Sequence, residues 1–337
     1  MRTLNRRQFL RDGLALAGSS LLSGCRMPPL PGQPAARVPR IGFLAVGSRE
    51  GRAFLIEGLL EGLREHGYVE GHNVVIEYRF SEDRDERLPE LAAELIALKV
   101  ELIVASGTPA SFAAAQATST IPIVMGGMAA NPVETGLVGS IARPGGNITG
   151  MTMMTSQLGG KRLELLKEIV PGLSRVAVFS NSPNPAFGPI LKELEAAAHT
   201  LGIALQRLEV RIPEDFEGAF EAATRQRAGA LIAPGDPLTT NRPKVVADLA
   251  AQHRLPAMMD FKGFVEAGGL LSLGVDLADL YRRSASHVDK ILKGIPPGDL
   301  PIEQPTKLDL AVNLKTARAF GLTIPQTILL QATEVIQ

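Results

Sequence analysis

The chain of 337 residues has one cysteine, no tryptophan and three tyrosines, and its 35 basic side chains are balanced by 35 acidic ones. A lone cysteine, Cys25, excludes a disulfide framework and a cysteine-built metal site. The missing tryptophan excludes a sugar site stacked on indole, although Phe and Tyr can still stack. With no basic excess to neutralise phosphates, nucleic acid is not expected as a partner. No uninterrupted apolar run reaches the roughly 20 residues that cross a bilayer. The five histidines stand apart in the sequence and form neither HExxH nor a paired-ligand spacing. No GxSxG elbow is present, and Gly159-Gly160-Lys161-Arg162 lacks the earlier glycine and the Ser/Thr of a phosphate-binding loop. The sequence therefore offers no catalytic residue, metal site or cofactor site, and it does not read as an enzyme.

What is there begins with Asn5-Arg6-Arg7-Gln8-Phe9-Leu10-Arg11, a weakly apolar run from Gly13 to Leu22, and Leu22-Ser23-Gly24-Cys25. A basic head, a short apolar middle and small residues before a cleavage point are the parts of an export signal. The Arg6-Arg7 pair resembles the twin-arginine export signal, and the four residues ending in Cys25 resemble a bacterial lipoprotein cleavage box. Residues 1–24 are thus expected to be an export signal and Cys25 a lipidation site. Residues 25–38, rich in proline, are expected to be an extended tether. The leader holds four arginines and one aspartate, net +3, so the remainder of a chain of formal charge 0 carries −3. The expected place of work is the periplasm or cell surface, with contact to the membrane through the lipid alone.

From Arg40 the pattern becomes regular. Ile41 to Val46, Glu101 to Ala105 and Ile121 to Met125 are short apolar runs, as buried parallel strands read, and Asn73 to Phe80 is a further strand. Phe54 to His66 and Leu88 to Leu98 between them have helical spacing. The order then returns. Ser174-Arg175-Val176-Ala177 begins 135 positions after Pro39-Arg40-Ile41-Gly42, and Gly202 closes a helix 135 positions after Gly67. Ala230-Leu231-Ile232-Ala233 leads to Asp236-Pro237 as Glu101-Leu102-Ile103-Val104 leads to Thr108-Pro109. Leu255-Pro256-Ala257 likewise echoes Ile121-Pro122-Ile123. The expected fold is α/β: two similar doubly wound parallel-sheet lobes joined by a multi-strand hinge. The expected boundaries are 39–154 with 272–295 for the first lobe, and 155–271 with 296–337 for the second.

Ligands of open α/β sheets bind beyond the carboxyl ends of the strands. There the sequence repeats a polar residue followed by proline, as in Thr108-Pro109, Asn131-Pro132, Ser182-Pro183, Asn184-Pro185 and Asp236-Pro237. Each such pair suits a helix start, and capping alone would explain any one of them. Together, several helix N-termini around one cleft would favour a carboxylate or phosphate. Asp236 and Asp260 would supply the opposite charge for an ammonium, so a zwitterion such as an amino acid is the favoured ligand.

Several segments carry a family resemblance: Gly62-Leu63-Arg64-Glu65-His66-Gly67-Tyr68, Gln116 to Val124, Leu137 to Gly150, Gly160 to Lys167, Phe264-Val265-Glu266-Ala267-Gly268-Gly269 and Gln304-Pro305-Thr306-Lys307. From about residue 39 onward the chain resembles the substrate-binding proteins of ABC transporters with the type I periplasmic-binding fold, a group with tryptophan- and tyrosine-binding members. The resemblance implies lobes that close on a small ligand and deliver it to a permease driven by a separate ATPase, the binding protein being a monomer. It places cleft loops at Ser48, Ser106, Thr108, Asn131, Asn181, Asp236 and Asp260. Many relatives carry Asp-Pro-Val where this chain has Asn131-Pro132-Val133, so an amide replaces a carboxylate there. The alternative role on the same fold is a ligand-sensing subunit for a signalling partner.

Overall fold

In the computed structural model, residues 38–153 and 158–337 are described. The expectations for Arg6, Arg7, Cys25, the leader and the tether up to residue 37 lie outside these residues. The first lobe is built from β1 (Arg40–Ala45), α1 (Ala53–Glu65), β2 (Val75–Phe80), α2 (Leu88–Ala97), β3 (Leu102–Ser106), α3 (Thr108–Ala117), β4 (Ile123–Met128) and β5 (Ile148–Thr152). Its five parallel strands lie in the order β2-β1-β3-β4-β5. The unbroken apolar runs of β1, β3 and β4 are explained by cover on both faces. Phe43, Val104 and Val124 belong to one core cluster with Leu55, Leu59 and Leu63 of α1, whereas Leu44, Ile103 and Ile123 belong to another with Leu91 and Leu95 of α2 and Ala110 and Ala114 of α3. Each such side chain taken fully from water contributes about 1.5–3 kcal/mol.

The second lobe repeats this winding with α4 (Gly159–Ile169), β6 (Arg175–Ser180), α5 (Phe187–Leu201), β7 (Ala204–Glu209), α6 (Asp215–Arg225), β8 (Ala230–Ala233), α7 (Pro237–Thr240), α8 (Pro243–Gln252), β9 (Ala257–Met259), α9 (Gly263–Glu266) and β10 (Leu271–Gly274). The run β7-β6-β8-β9-β10 matches β2-β1-β3-β4-β5 strand for strand. The shared order puts the crevice where the winding changes direction, beyond β1 and β3 in one lobe and β6 and β8 in the other.

After β10 the chain returns to the first lobe as α10 (Leu277–Leu292), capped by the Asp276 carboxylate on the Asp279 amide. This helix lies against α1 so closely that a Cβ on Gly58 would stand 2.5 Å from the Ala278 carbonyl oxygen, and one on Gly62 only 2.0 Å from that of Arg282. The chain then re-enters the second lobe and adds β11 (Asp309–Asn313), α11 (Leu314–Ala319), α12 (Gln326–Leu329) and β12 (Glu334–Ile336), extending the sheet to seven strands. β11 runs antiparallel to β10, with Asp309 opposite Gly274. It departs from the all-parallel expectation because the chain comes back at the hinge end, where β10 leaves, and must run the other way.

The sequence placed the lobe boundaries at 272 and 296, and the connections lie a few residues later. β10 is paired within the second sheet, so the passage to the first lobe follows Gly274. Residues 296–303 still lie on the first lobe: Thr149 Oγ1 donates to the Leu300 carbonyl (2.8 Å), and the Glu303 amide donates to Gly150 O (2.9 Å). A short apolar run announces a strand without saying which sheet it joins. Among the described residues, no helix is long and apolar enough to cross a membrane.

Candidate functional site

The two sets of strand ends face each other across a cavity of about 40 Å³. Arg52, Thr108, Gly127 and Tyr281 line it from the first lobe, and Asn184, Gly235, Asp236, Asp260 and Phe261 from the second. A water needs roughly 10–15 Å³, so the lobes as they stand leave room for about three.

Arg52 follows the carboxyl end of β1 and directly precedes α1. Its Nε donates to the Val46 carbonyl at 3.0 Å, which fixes the guanidinium at the cavity wall. The residue is only 4 % exposed, and Nη2 is buried without a hydrogen-bond partner. Burial pushes the guanidinium pKa down, while Tyr281 and the carboxylates of Asp236, Asp85 and Asp83 pull it back up.

Asp236 caps α7, accepting from the Leu238 amide at 2.8 Å through Oδ1. Its Oδ2 accepts from Asn184 Nδ2 (2.8 Å) and Asn181 Nδ2 (3.2 Å). Burial raises its pKa, and these three donors together with Arg52 oppose the rise. Asp260, beyond β9, forms a buried ion pair with Arg162 of α4: Asp260 Oδ2 lies 3.4 Å from Nη2 and accepts from the Gly235 amide at 2.7 Å. Arg162 also donates from Nε and Nη2 to the Leu273 carbonyl, at 3.1 and 2.9 Å. Burial is the largest influence on the Asp260 carboxyl and raises its pKa, with Arg162 and the Gly235 amide acting against it. Asp260 Oδ1 is buried with no partner.

Tyr281 stands one turn into α10, with its hydroxyl 2.5 Å from Ser106 Oγ. Its ring lies over Gly126, where a Cβ would come within 2.7 Å of Cε1. Around the cavity the lobes touch directly. Arg242 forms a two-pronged ion pair with Asp83, Asn241 Nδ2 reaches the Val46 carbonyl (3.5 Å), and Phe54 stacks on Phe261 with centroids 6.4 Å apart.

Of the residues singled out from sequence, Thr108, Asp236 and Asp260 line the cavity. Ser106 and Asn181 lie just behind it, bonded to Tyr281 and Asp236 respectively. Thr108 Oγ1 accepts from the Ala129 and Ala130 amides, which ties the ends of β3 and β4 together. Ser48 and Asn131 lie outside the lining and serve local turns: Ser48 Oγ accepts from the Gly51 amide, and Asn131 Oδ1 from the Val133 amide. Arg52 and Tyr281 escaped the sequence reading. Arg49, Glu50 and Arg52 together look like a solvated loop, and the position of Arg52 just ahead of an apolar helix after a strand end was the available signal. His287, one of the five histidines that form no ligand spacing in the sequence, is buried and bonded through Nε2 to the Pro301 carbonyl (3.0 Å), with its pKa lowered chiefly by burial. Among the described residues, no group of His, Cys, Asp and Glu could hold a metal ion.

Comparison with known proteins places this geometry. The family model described as ABC transporter substrate binding protein matches residues 40–336. A tyrosine-binding protein of Clostridioides difficile is 26% identical over 266 residues, covering 79% of this chain and 76% of its own. The crystal structure of an ABC domain in complex with L-Trp from Streptococcus pneumonia is similar at a TM-score of 0.81 and 26% identity, over 89% of this chain and 100% of that one. A conserved domain protein from Vibrio cholerae reaches a TM-score of 0.82 at 26% identity with the same coverage. The two-lobed architecture is the type I periplasmic-binding fold.

Proposed function

Because the chain belongs to the ABC transporter substrate binding protein family, whose members bind a substrate and do not transform it, we propose that it captures an α-amino acid between its lobes. The carrying observation is the content of the cavity: a buried arginine on one lobe faces two buried aspartates on the other. With Arg162, the buried set holds two positive and two negative side chains. A ligand of zero net charge and separated ends keeps that balance, whereas a lone anion or cation upsets it in a medium where unpaired charge is expensive. The tyrosine and tryptophan in the descriptions of two similar proteins belong to the same ligand class.

Ligand that touches both lobes adds contacts only in the closed form and so shifts the population toward it. In this reading the protein works as a monomer outside the cytoplasm. The Arg6-Arg7 leader exports it, lipid on Cys25 holds it to the membrane, and a permease driven by a separate ATPase takes the ligand. The test is a thermal-shift screen of residues 26–337, stripped of ligand by unfolding and refolding, against amino acids, nucleosides, sugars and small carboxylates. At a hundred times its dissociation constant a ligand adds about 2.7 kcal/mol, several degrees for a chain of this size. A shift with one or a few amino acids is expected, and a shift confined to sugars or nucleosides would overturn the assignment.

A further inference from the structure

Two atoms in the cavity wall lack partners, and they are of opposite character: Arg52 Nη2, a donor, and Asp260 Oδ1, an acceptor. Their residues are 4 % and 6 % exposed and both line the cavity, so a partner for either atom has to come from inside it. A buried polar group without a partner is costly, and such groups in folded proteins call for an explanation. Asp236 lies in the same wall but differs. Both of its oxygens already accept, from the Leu238 amide and from the amides of Asn181 and Asn184.

We infer that Asp260, and not Asp236, takes the ammonium of the ligand on Oδ1, with the ligand carboxylate on Arg52 Nη2. Asp236 is a positioning residue that holds Asn184 and the start of α7. This assignment rests on the amino-acid reading of the cavity and divides its charges between named atoms. The surroundings of Asp260 support it. Arg162 and the Gly235 amide both engage Oδ2 and so aim the carboxylate, leaving Oδ1 as the free end. Gly235 is needed for this approach, since a Cβ there would stand 2.5 Å from Oδ2. Arg52 comes from the first lobe and Asp260 from the second. A ligand carrying both charges therefore bridges the lobes, and one lacking either charge holds one side only.

The experiment is calorimetric titration of the wild-type protein with the twenty common L-amino acids. The tightest is then compared with its deaminated and decarboxylated analogues, propionate and ethylamine in the case of L-alanine. A charge-assisted hydrogen bond corresponds to about 10- to 100-fold in affinity. Asp260→Asn should therefore weaken the amino acid by that factor while leaving the deaminated acid nearly unchanged, so that the preference between them collapses. Asp236→Asn should weaken both alike and keep the preference, as expected of a residue acting through the scaffold. Should Asp260→Asn not fold, a crystal structure of the wild-type complex decides, with the ammonium nitrogen expected within hydrogen-bond distance of Asp260 Oδ1. The assignment is overturned if Asp260→Asn retains the preference, or if the ammonium rests on Asp236. If no amino acid binds the wild-type protein, the amino-acid reading itself falls and takes this assignment with it.

Discussion

The ion pair between Asp83 and Arg242 joins the loop after β2 to the turn before α8, one on each lobe, so it exists only while the lobes are closed. Its side chains are 19% and 23% exposed, between a surface pair and a buried one. Exposed pairs contribute about 0.2–1 kcal/mol, and hydrogen bonds to charged groups about 1.5–3. A two-pronged, half-buried Arg–Asp pair should fall near 1.5 kcal/mol, close to a tenfold shift in the ratio of closed to open forms. Asp83→Asn is the suitable change, because Asp83 has φ +60° and asparagine tolerates that left-handed backbone. The variant should show a larger ligand-free radius of gyration by small-angle scattering. Its dissociation constant should rise by up to about tenfold, the full factor appearing only if the free protein is mostly open. A double-mutant cycle with Arg242→Gln should give a coupling near 1 kcal/mol or above. Unchanged scattering, together with affinity altered less than about twofold and zero coupling, would refute the idea that this contact biases closure.

Other outcomes follow from the same geometry. The Asp85 carboxyl is pushed up to about 6, first by burial and then by the like charge of Asp236, against the pull of Ser81 and Arg52. A carboxyl whose folded pKa exceeds its unfolded one contributes stability that fades as pH rises through that interval. Asp85→Asn should therefore gain stability over wild type between about pH 4 and 6 and hold the gain above, as urea unfolding at pH 4 and 7.5 would reveal; a gain independent of pH would contradict this. Tyr281→Ala should open space over Gly126 and raise affinity for aromatic amino acids relative to alanine, and titrations giving an unchanged ranking would contradict it. Gly62→Ala forces a Cβ to 2.0 Å from a backbone oxygen of α10, so a loss of about 1–3 kcal/mol is expected despite the better helix propensity; a neutral melting temperature would contradict it. Cys25→Ser should move the protein from the membrane to the soluble fraction, and Arg6→Lys with Arg7→Lys should hold it inside the cell; fractionation that leaves both variants where the wild type lies would contradict the leader reading.

The fold was legible because both faces of each central strand are covered, which writes the strand as an apolar run, and because the second lobe repeats the first. β7 was harder to see. It lies at the sheet edge and only Gln206 and Leu208 of its six residues are buried, so Ala204 to Glu209 carries no continuous apolar signal. The direction of β11 was invisible too, since it follows from where the chain re-enters and not from any residue. In the site, Asp236 could be found because Asp-Pro at a strand end announces a cap. The cap occupies one of its oxygens and two asparagine side chains the other, which is why the residue easiest to read is not the one left open. Arg52 and Tyr281 were missed for a common reason. A basic loop residue and a tyrosine on an amphipathic helix look ordinary until the packing of the two lobes buries them.

The measurement that bears most directly on the account is calorimetric titration of ligand-stripped wild-type protein and Arg52→Gln with the twenty L-amino acids. The account predicts one-to-one binding of at least one amino acid by the wild type. It also predicts a loss of about 10- to 100-fold in Arg52→Gln, with little change for the matching amine, which has no carboxylate to lose. Equal affinity of both proteins for the amino acid, or binding of the amine as tightly as the amino acid by the wild type, would contradict the claim that the cavity is built for a zwitterion.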